Sequence, residues 1–306
     1  MDIPSPSLSA GWWGLRPRPL RPRSIVELVR AGTLDADLAA LLWLLLEARL
    51  PLIVAAERPG TGKSTLLAAL LDFLPPRTRW VELAGQVETF DWLPHARELG
   101  WRGPASAWPT APPATDPAST YILAAELSDH LPIYTWGEGA RVAVRALTAG
   151  YGLGATIHAD SLEEVFAALH RPPVALTDDE LSRLGVVLVL RPVTPPAGDL
   201  ARGPLRRIVA AHYVRPVARD VHGHVQRLPP AVLATWEPDT DTFEHFSWGV
   251  VPELAYTTGR KAGDFMAEQD RRRDYLAGLA AAGVTDIDSV RSAIDGFRVV
   301  AAGNPS

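Results

Sequence analysis

The chain has 306 residues, with 35 acidic against 30 basic side chains, a formal net charge of −5, 47% apolar residues and no cysteine. That length and composition predict a folded chain with one large core or two smaller ones and exclude a disordered one. Lack of cysteine excludes a disulfide framework, a zinc ribbon, an iron–sulfur site and a thiol nucleophile, and the acidic balance argues against general nucleic-acid binding.

Residues 1–24 alternate proline with arginine (Arg16, Arg18, Arg21, Arg23) and read as an extended arm. A helix is expected from Ser24, then a second capped by Thr33, with Asp35 and Asp37 in its first turn and Leu38, Leu41, Leu42 and Leu45 behind. The apolar run 38–46 ends at Glu47 and Arg49, well short of the roughly 18 residues of a membrane span. No secretion signal is read at the N-terminus, so the expected setting is cytoplasmic, with membrane contact only through a partner.

Residues 50–56 read as a buried strand, followed by a glycine loop and an apolar helix through Leu66, Leu67, Leu70 and Leu71. A strand is expected near 79–83, a long proline-rich loop over 101–120 and a short strand at 121–125. Residues 142–147 look helical, 150–154 break the helix, and 155–158 form a strand. Ser161 with Glu164 and Thr177 with Glu180 read as capping boxes, and 186–190 as a buried strand. Strands alternating with helices predict an α/β core with a mainly parallel sheet.

Beyond residue 215 the texture changes to a hairpin near 236–246 and then helices, the last capped by Thr285. The expected division is therefore an arm (1–24), a core (25–215) and a smaller, mostly helical C-terminal part (216–306).

Three short segments carry chemistry. In Glu57-Arg58-Pro59-Gly60-Thr61-Gly62-Lys63-Ser64-Thr65, glycines let backbone N–H groups wrap phosphates, a lysine reaches the terminal phosphates, and a hydroxyl can bind magnesium. Glu57 occupies the place of the pattern's first glycine, so its carboxylate must point away or weaken nucleotide binding. Replacing it by glycine is expected to tighten binding. Glu126, at the end of a buried strand, can polarise a water or hold magnesium through water. By itself it is equally a common exposed strand-end acid. His158, in Thr156-Ile157-His158-Ala159-Asp160-Ser161, can sense a terminal phosphate, though a lone histidine at a strand tip is more often structural.

Taken in this order, the glycine loop, the strand-end glutamate and the strand-end histidine segment resemble the ATPases of the type II/type IV secretion superfamily. Residues 15–90 are similar to the linker, first helices and phosphate loop of the Tad-type and archaeal branches. Residues 206–214, 236–246 and 283–297 are similar to the C-terminal part of the archaeal branch. The resemblance implies a RecA-like P-loop core and a hexameric motor that binds ATP and Mg2+ between subunits and works on a membrane-embedded platform protein, without specific nucleic acid. Lys63, Ser64 and the neighbouring Gly60, Thr61, Gly62 and Thr65 would hold phosphates and magnesium. Glu126 would activate water, His158 would stand in the histidine box, and Arg16 would reach nucleotide from the linker.

The chain also departs from that pattern. An acidic pair falls on Ala84-Gly85, with only Glu82 or Glu88 nearby, and an arginine two residues after the glutamate is Ser128. The family's large N-terminal domain is not found before Ser24. Losing an acidic magnesium partner and an arginine is expected to slow hydrolysis even where ATP binds, because transition-state charge loses its partners. The departures leave open a second reading, a nucleotide-binding structural or regulatory subunit.

Overall fold

A computed structural model describes residues 22–104, 114–194, 205–219, 222 and 225–303. Most of the Pro/Arg arm, including Arg16, Arg18 and Arg21, and the middle of the proline-rich loop lie outside the described residues.

Helix α1 (Ile25–Arg30) is capped by the Ser24 hydroxyl, which accepts from the Glu27 N–H. Helix α2 (Ala36–Glu47) is capped by Asp35, whose carboxylate accepts from the Leu38 N–H at 2.9 Å. The cap expected at Thr33 therefore moves two residues on, to the residue whose extended backbone brings its side chain over the first-turn amides. Every residue of α2 from Leu38 to Leu46 is buried, as befits a helix that is apolar all round.

Strands β1 (Leu52–Ala55), β2 (Arg79–Glu82), β3 (Thr120–Leu127), β4 (Gly152–Ile157), β5 (Val186–Val193) and β6 (Leu205–Tyr213) follow. The first five are linked through α3 (Lys63–Leu71), α4 (Gly137–Ala146), α5 (Leu162–His170) and α6 (Asp178–Leu181). Two short strands, β7 (Ala218–Arg219) and β8 (Val225–Gln226), pair only with each other, and β9 (Ala231–Glu237) and β10 (Thr242–His245) form the expected hairpin. The main sheet has the order β10-β9-β6-β5-β1-β4-β3-β2. Its five strands β5, β1, β4, β3 and β2 are parallel, and β6, β9 and β10 extend it in antiparallel fashion. The chain is thus an α/β protein with a mainly parallel sheet.

The helical segment ends at Gly150 as expected, but the strand begins earlier than 155, and the glycines at 152 and 154 lie inside β4. The Tyr121 ring of the adjacent β3 lies over Gly152, where a β-carbon would collide with it. Glycine here serves close packing, which is a second use of the residue besides chain breaking. Residue 215 is likewise no break in the sheet, because β9 pairs with β6 and β10 with β9.

Alternation along the strands sends successive side chains to opposite faces. Leu52 and Val54 join α1, α2 and α3 on one face, while Ile53 and Ala55 join α4 and α5 on the other. The C-terminal helices α7 (Val251–Thr257), α8 (Ala262–Ala281) and α9 (Ile287–Gly303) cover the first of these faces through Leu254, Phe265, Leu276, Val290 and Ile294. Buried Arg272 pairs with Glu47 and Glu268 and lies 4.8 Å over the Trp43 ring. Arg298 donates to the carbonyls of Phe73 and Leu74 at 2.8 and 3.0 Å, just beyond the end of α3. The Asp286 carboxylate accepts from the Ser289 N–H ahead of α9, in the role expected of Thr285.

Thr177 and Glu180 complete a reciprocal capping box. Ser161 caps α5, but the Glu164 carboxylate reaches back to the Asp160 N–H, one residue earlier than a capping box requires. Among the described residues no helix is long and apolar enough to cross a membrane.

Candidate functional site

Strand β4 lies between β1 and β3, and all three are parallel, so their C-terminal ends share one edge of the sheet. Such an edge is where α/β sheets place their ligands. The segment after β1 turns into α3 through Gly60 (φ 77°) and Gly62 (φ 105°), left-handed conformations that favour glycine. Gly62 is the N-cap of α3, and space is open around the position a Gly60 side chain would take. The loop is held from within by buried Thr61, whose hydroxyl donates to the Arg58 carbonyl at 2.6 Å. It is held from outside by Arg206 of β6, whose Nε donates to the Thr61 carbonyl at 2.7 Å.

Lys63 begins α3 and is only 5% exposed. Its ammonium lies 3.2 Å from His158 Nδ1, 3.4 Å from the Ala56 carbonyl and 3.5 Å from Glu126 Oε2. A buried ammonium needs such partners. These three contacts lie at or beyond the long end of hydrogen-bond range.

Glu126 reaches this lysine because β3 carries a bulge. The pairing with β4 shifts between Ala124 and Leu127, which places one extra residue in β3 just where Glu126 sits. The Thr156 hydroxyl donates to the Ala125 carbonyl at 2.7 Å and ties the bulge to β4. Glu126 is 4% exposed, and its Oε1 lies 2.9 Å from His158 Nε2 and 3.2 Å from the Ser128 hydroxyl. Ser128, where an arginine was expected from the resemblance, is thus a hydrogen-bond donor that orients the glutamate. Three residues far apart in sequence, Lys63, Glu126 and His158, converge within direct contact of one another.

Glu57 stands outside this group. Its side chain is 68% exposed and pairs with Arg58 at 3.7 Å, so the carboxylate points to solvent and only the backbone carbonyl faces the site. Of the two arrangements expected for Glu57, the one in which its carboxylate points away is the one present. Glu88 is also accounted for structurally. Its buried carboxylate accepts from the N–H groups of Ala84, Thr89 and Phe90 and from Trp92 Nε1, at 2.8 to 3.2 Å. The Ala84-Gly85 turn packs against the 132–133 backbone so closely that a β-carbon at Gly85 would overlap it. An acidic side chain at 85 has no room there.

Ser64 and Thr65 lie half-buried in the first turn of α3. The Ser64 hydroxyl and the Glu126 carboxylate are oxygen donors of the kind magnesium takes, so the donor set fits that ion. Of the arm arginines only Arg23 is described, paired with Glu27 at 3.7 Å. Two residues at the site carry no local sequence signal. Arg206 lies on a distant antiparallel strand, and His130, in the turn after β3, places its ring 5.5 Å from that of His158.

No family model matches the chain. Two uncharacterized proteins of Methanocaldococcus jannaschii are similar to it. MJ1287 is 24% identical over 266 residues, covering 83% of this chain and 90% of its own length. MJ0900 is 26% identical over 288 residues, covering 90% of this chain and 49% of its own length, so the chain spans about half of that relative. Among solved structures, the VirB11 ATPase from the Brucella suis type IV secretion system overlaps 61% of this chain and 53% of its own, with TM-score 0.37 and 21% identity. The ATPase DotB of Legionella pneumophila overlaps 85% of this chain and 59% of its own, with TM-score 0.32 and 12% identity. At these scores, the fold of the chain rests on its own strand order.

Proposed function

We propose that the chain is an ATP-binding and ATP-hydrolysing subunit that powers a pilus-like filament or a type II/type IV secretion machine. The observation that carries this reading is the meeting of Lys63, Glu126 and His158 at the shared end of β1, β3 and β4, beside a loop whose glycines are in left-handed conformations. A helix N-terminus preceded by such a loop favours phosphate through its backbone N–H groups and its dipole.

In this reading the loop residues Gly60, Thr61, Gly62, Ser64 and Thr65 cradle the phosphates, and Lys63 moves its ammonium onto the terminal ones. Ser64 would hold Mg2+, with Glu126 contributing through water; the ion neutralises phosphate charge when bound. Glu126 accepts a proton from the attacking water as the bond from the terminal phosphorus to the leaving nucleoside diphosphate breaks, and Ser128 keeps its Oε1 in place. His158 links the glutamate to the lysine and so registers where the lysine is. The homo-oligomer, a hexamer by resemblance, and a membrane-embedded platform protein complete the machine, with the chain on the cytoplasmic side.

The test is Mg2+-dependent ATP turnover by the purified chain, by Lys63→Ala and by Glu126→Gln. Turnover above the Lys63→Ala background, lost in Glu126→Gln, is expected; none at any protein concentration overturns the motor reading. One observation favours a second reading. The packing at Ala84-Gly85 excludes an acidic pair, which fits a subunit that binds nucleotide with little turnover. Nucleotide binding without hydrolysis would establish that reading, and loss of both would remove it.

A further inference from the structure

Ligand atoms of Glu126, His130 and His158 all lie within 4.8 Å of one another. The hydrogen bonds of His158 make this more than a coincidence of polar groups. Its Nδ1 lies 3.2 Å from the Lys63 ammonium, which can only donate, and 3.0 Å from the Glu57 carbonyl, which can only accept. One tautomer therefore serves one of these neighbours. With the proton on Nε2, the ring donates to Glu126 and accepts from Lys63. With the proton on Nδ1, the ring donates to the Glu57 carbonyl and turns the lone pair of Nε2 toward the Glu126 carboxylate, 2.9 Å away. That second arrangement sets two electron-rich atoms against each other unless a proton or a metal cation lies between them.

It is also the arrangement in which metal-binding histidines are held, with the far ring N–H donated to a backbone carbonyl. We propose that Glu126, His130 and His158 bind a first-row transition cation of the Zn2+ class, with His158 ligating through Nε2 and Glu57 orienting it through its carbonyl. Two imidazoles and one carboxylate suit such an ion far better than Mg2+, which takes oxygen donors. Three protein ligands leave a fourth position for water. Ligands about 2.0–2.1 Å from zinc stand about 3.3 Å apart in a tetrahedral set, so the Glu126–His158 pair has only to open slightly.

The Lys63 ammonium, 3.5 Å from Glu126 Oε2, opposes the incoming cation. Removing that charge frees the site. Because the cation takes the carboxylate assigned above to water activation, zinc occupancy silences hydrolysis. That consequence rests on the proposed function; the binding does not.

The experiment is calorimetric titration of tag-free, chelator-treated full chain with Zn2+ in the absence of nucleotide. Alongside it, the visible absorption of the Co2+ form reports nitrogen coordination. One Zn2+ per chain is expected. His130→Asn, with folding checked by its thermal transition, should weaken binding at least tenfold. Lys63→Met should bind at least as tightly as the unaltered chain. Absence of saturable binding, equal affinity in His130→Asn, or loss of binding in Lys63→Met overturns the proposal. A chain that binds Zn2+ in this way yet shows no Mg2+-dependent ATP turnover would refute the motor reading alone.

Discussion

Arg206 donates from Nε to the backbone carbonyl of Thr61 at 2.7 Å, across 145 positions of sequence. Its Cδ also lies where a side chain at Gly62 would come within 3.1 Å. The glycine loop is thereby held against the antiparallel strand β6. Losing a charge-assisted hydrogen bond of this kind costs about 1.5–3 kcal/mol. Arg206→Ala is expected to weaken nucleotide binding by about tenfold or more, measured by titration with a fluorescent nucleotide. An unchanged affinity would mean that the loop keeps its shape without the strand.

Glu57 leads to the opposite expectation. An exposed ion pair such as Glu57–Arg58 contributes about 0–1 kcal/mol, and the carboxylate faces solvent. Glu57→Gln should therefore leave nucleotide affinity within about twofold, read by the same titration. A clear tightening would show that the charge is felt at the phosphates.

Glu88 acts on stability. Removing its carboxylate leaves four donors, those of Ala84, Thr89, Phe90 and Trp92, without their acceptor. Unsatisfied buried donors cost about 1–3 kcal/mol each, partly relieved where water enters. Glu88→Ala should lower the urea unfolding free energy by about 2–4 kcal/mol, and a loss below about 0.5 kcal/mol would contradict this role.

His245 gives the fold a pH dependence. Its Nε2 lies 2.7 Å from Asp35 Oδ2, on the residue that caps α2. Burial disfavours the charged ring, but the hydrogen bond and charge of Asp35, with the charge of Asp37, outweigh it and raise the histidine pKa above its ordinary 6.5. A pKa raised by folding stabilises the folded state fully below pH 6.5 and loses that contribution as pH rises through the folded value. Unfolding free energy should fall as pH rises above 6.5 and through the raised folded value, and His245→Asn should flatten the slope. An identical slope in the variant would assign the dependence elsewhere.

The glycine loop, the strand before it and the helix after it were legible because each is a local pattern: an apolar run, glycines at fixed spacing, a second apolar stretch. Thr177 with Glu180 was legible for the same reason, since a capping box is closed within four residues. Thr33 and Thr285 were misplaced because neighbouring aspartates compete for the same amides and the better placed side chain wins. Gly152 read as a breaker because nothing near it in sequence announces the Tyr121 ring that needs its space.

Residue order alone sets the succession of elements and the chemical groups available, including a lysine directly after the second glycine of the loop. One of only two lysines among 30 basic residues stands there. Tertiary structure decided which groups meet. Parallel pairing of β1, β4 and β3 puts three strand ends on one edge, and a single extra residue in β3 places Glu126 against Lys63 and His158. Arg206, Ser128 and His130 join them only through long-range strand pairing and the turn after β3. Such contacts depend on how distant segments pack, and residue order along the chain carries no direct record of that.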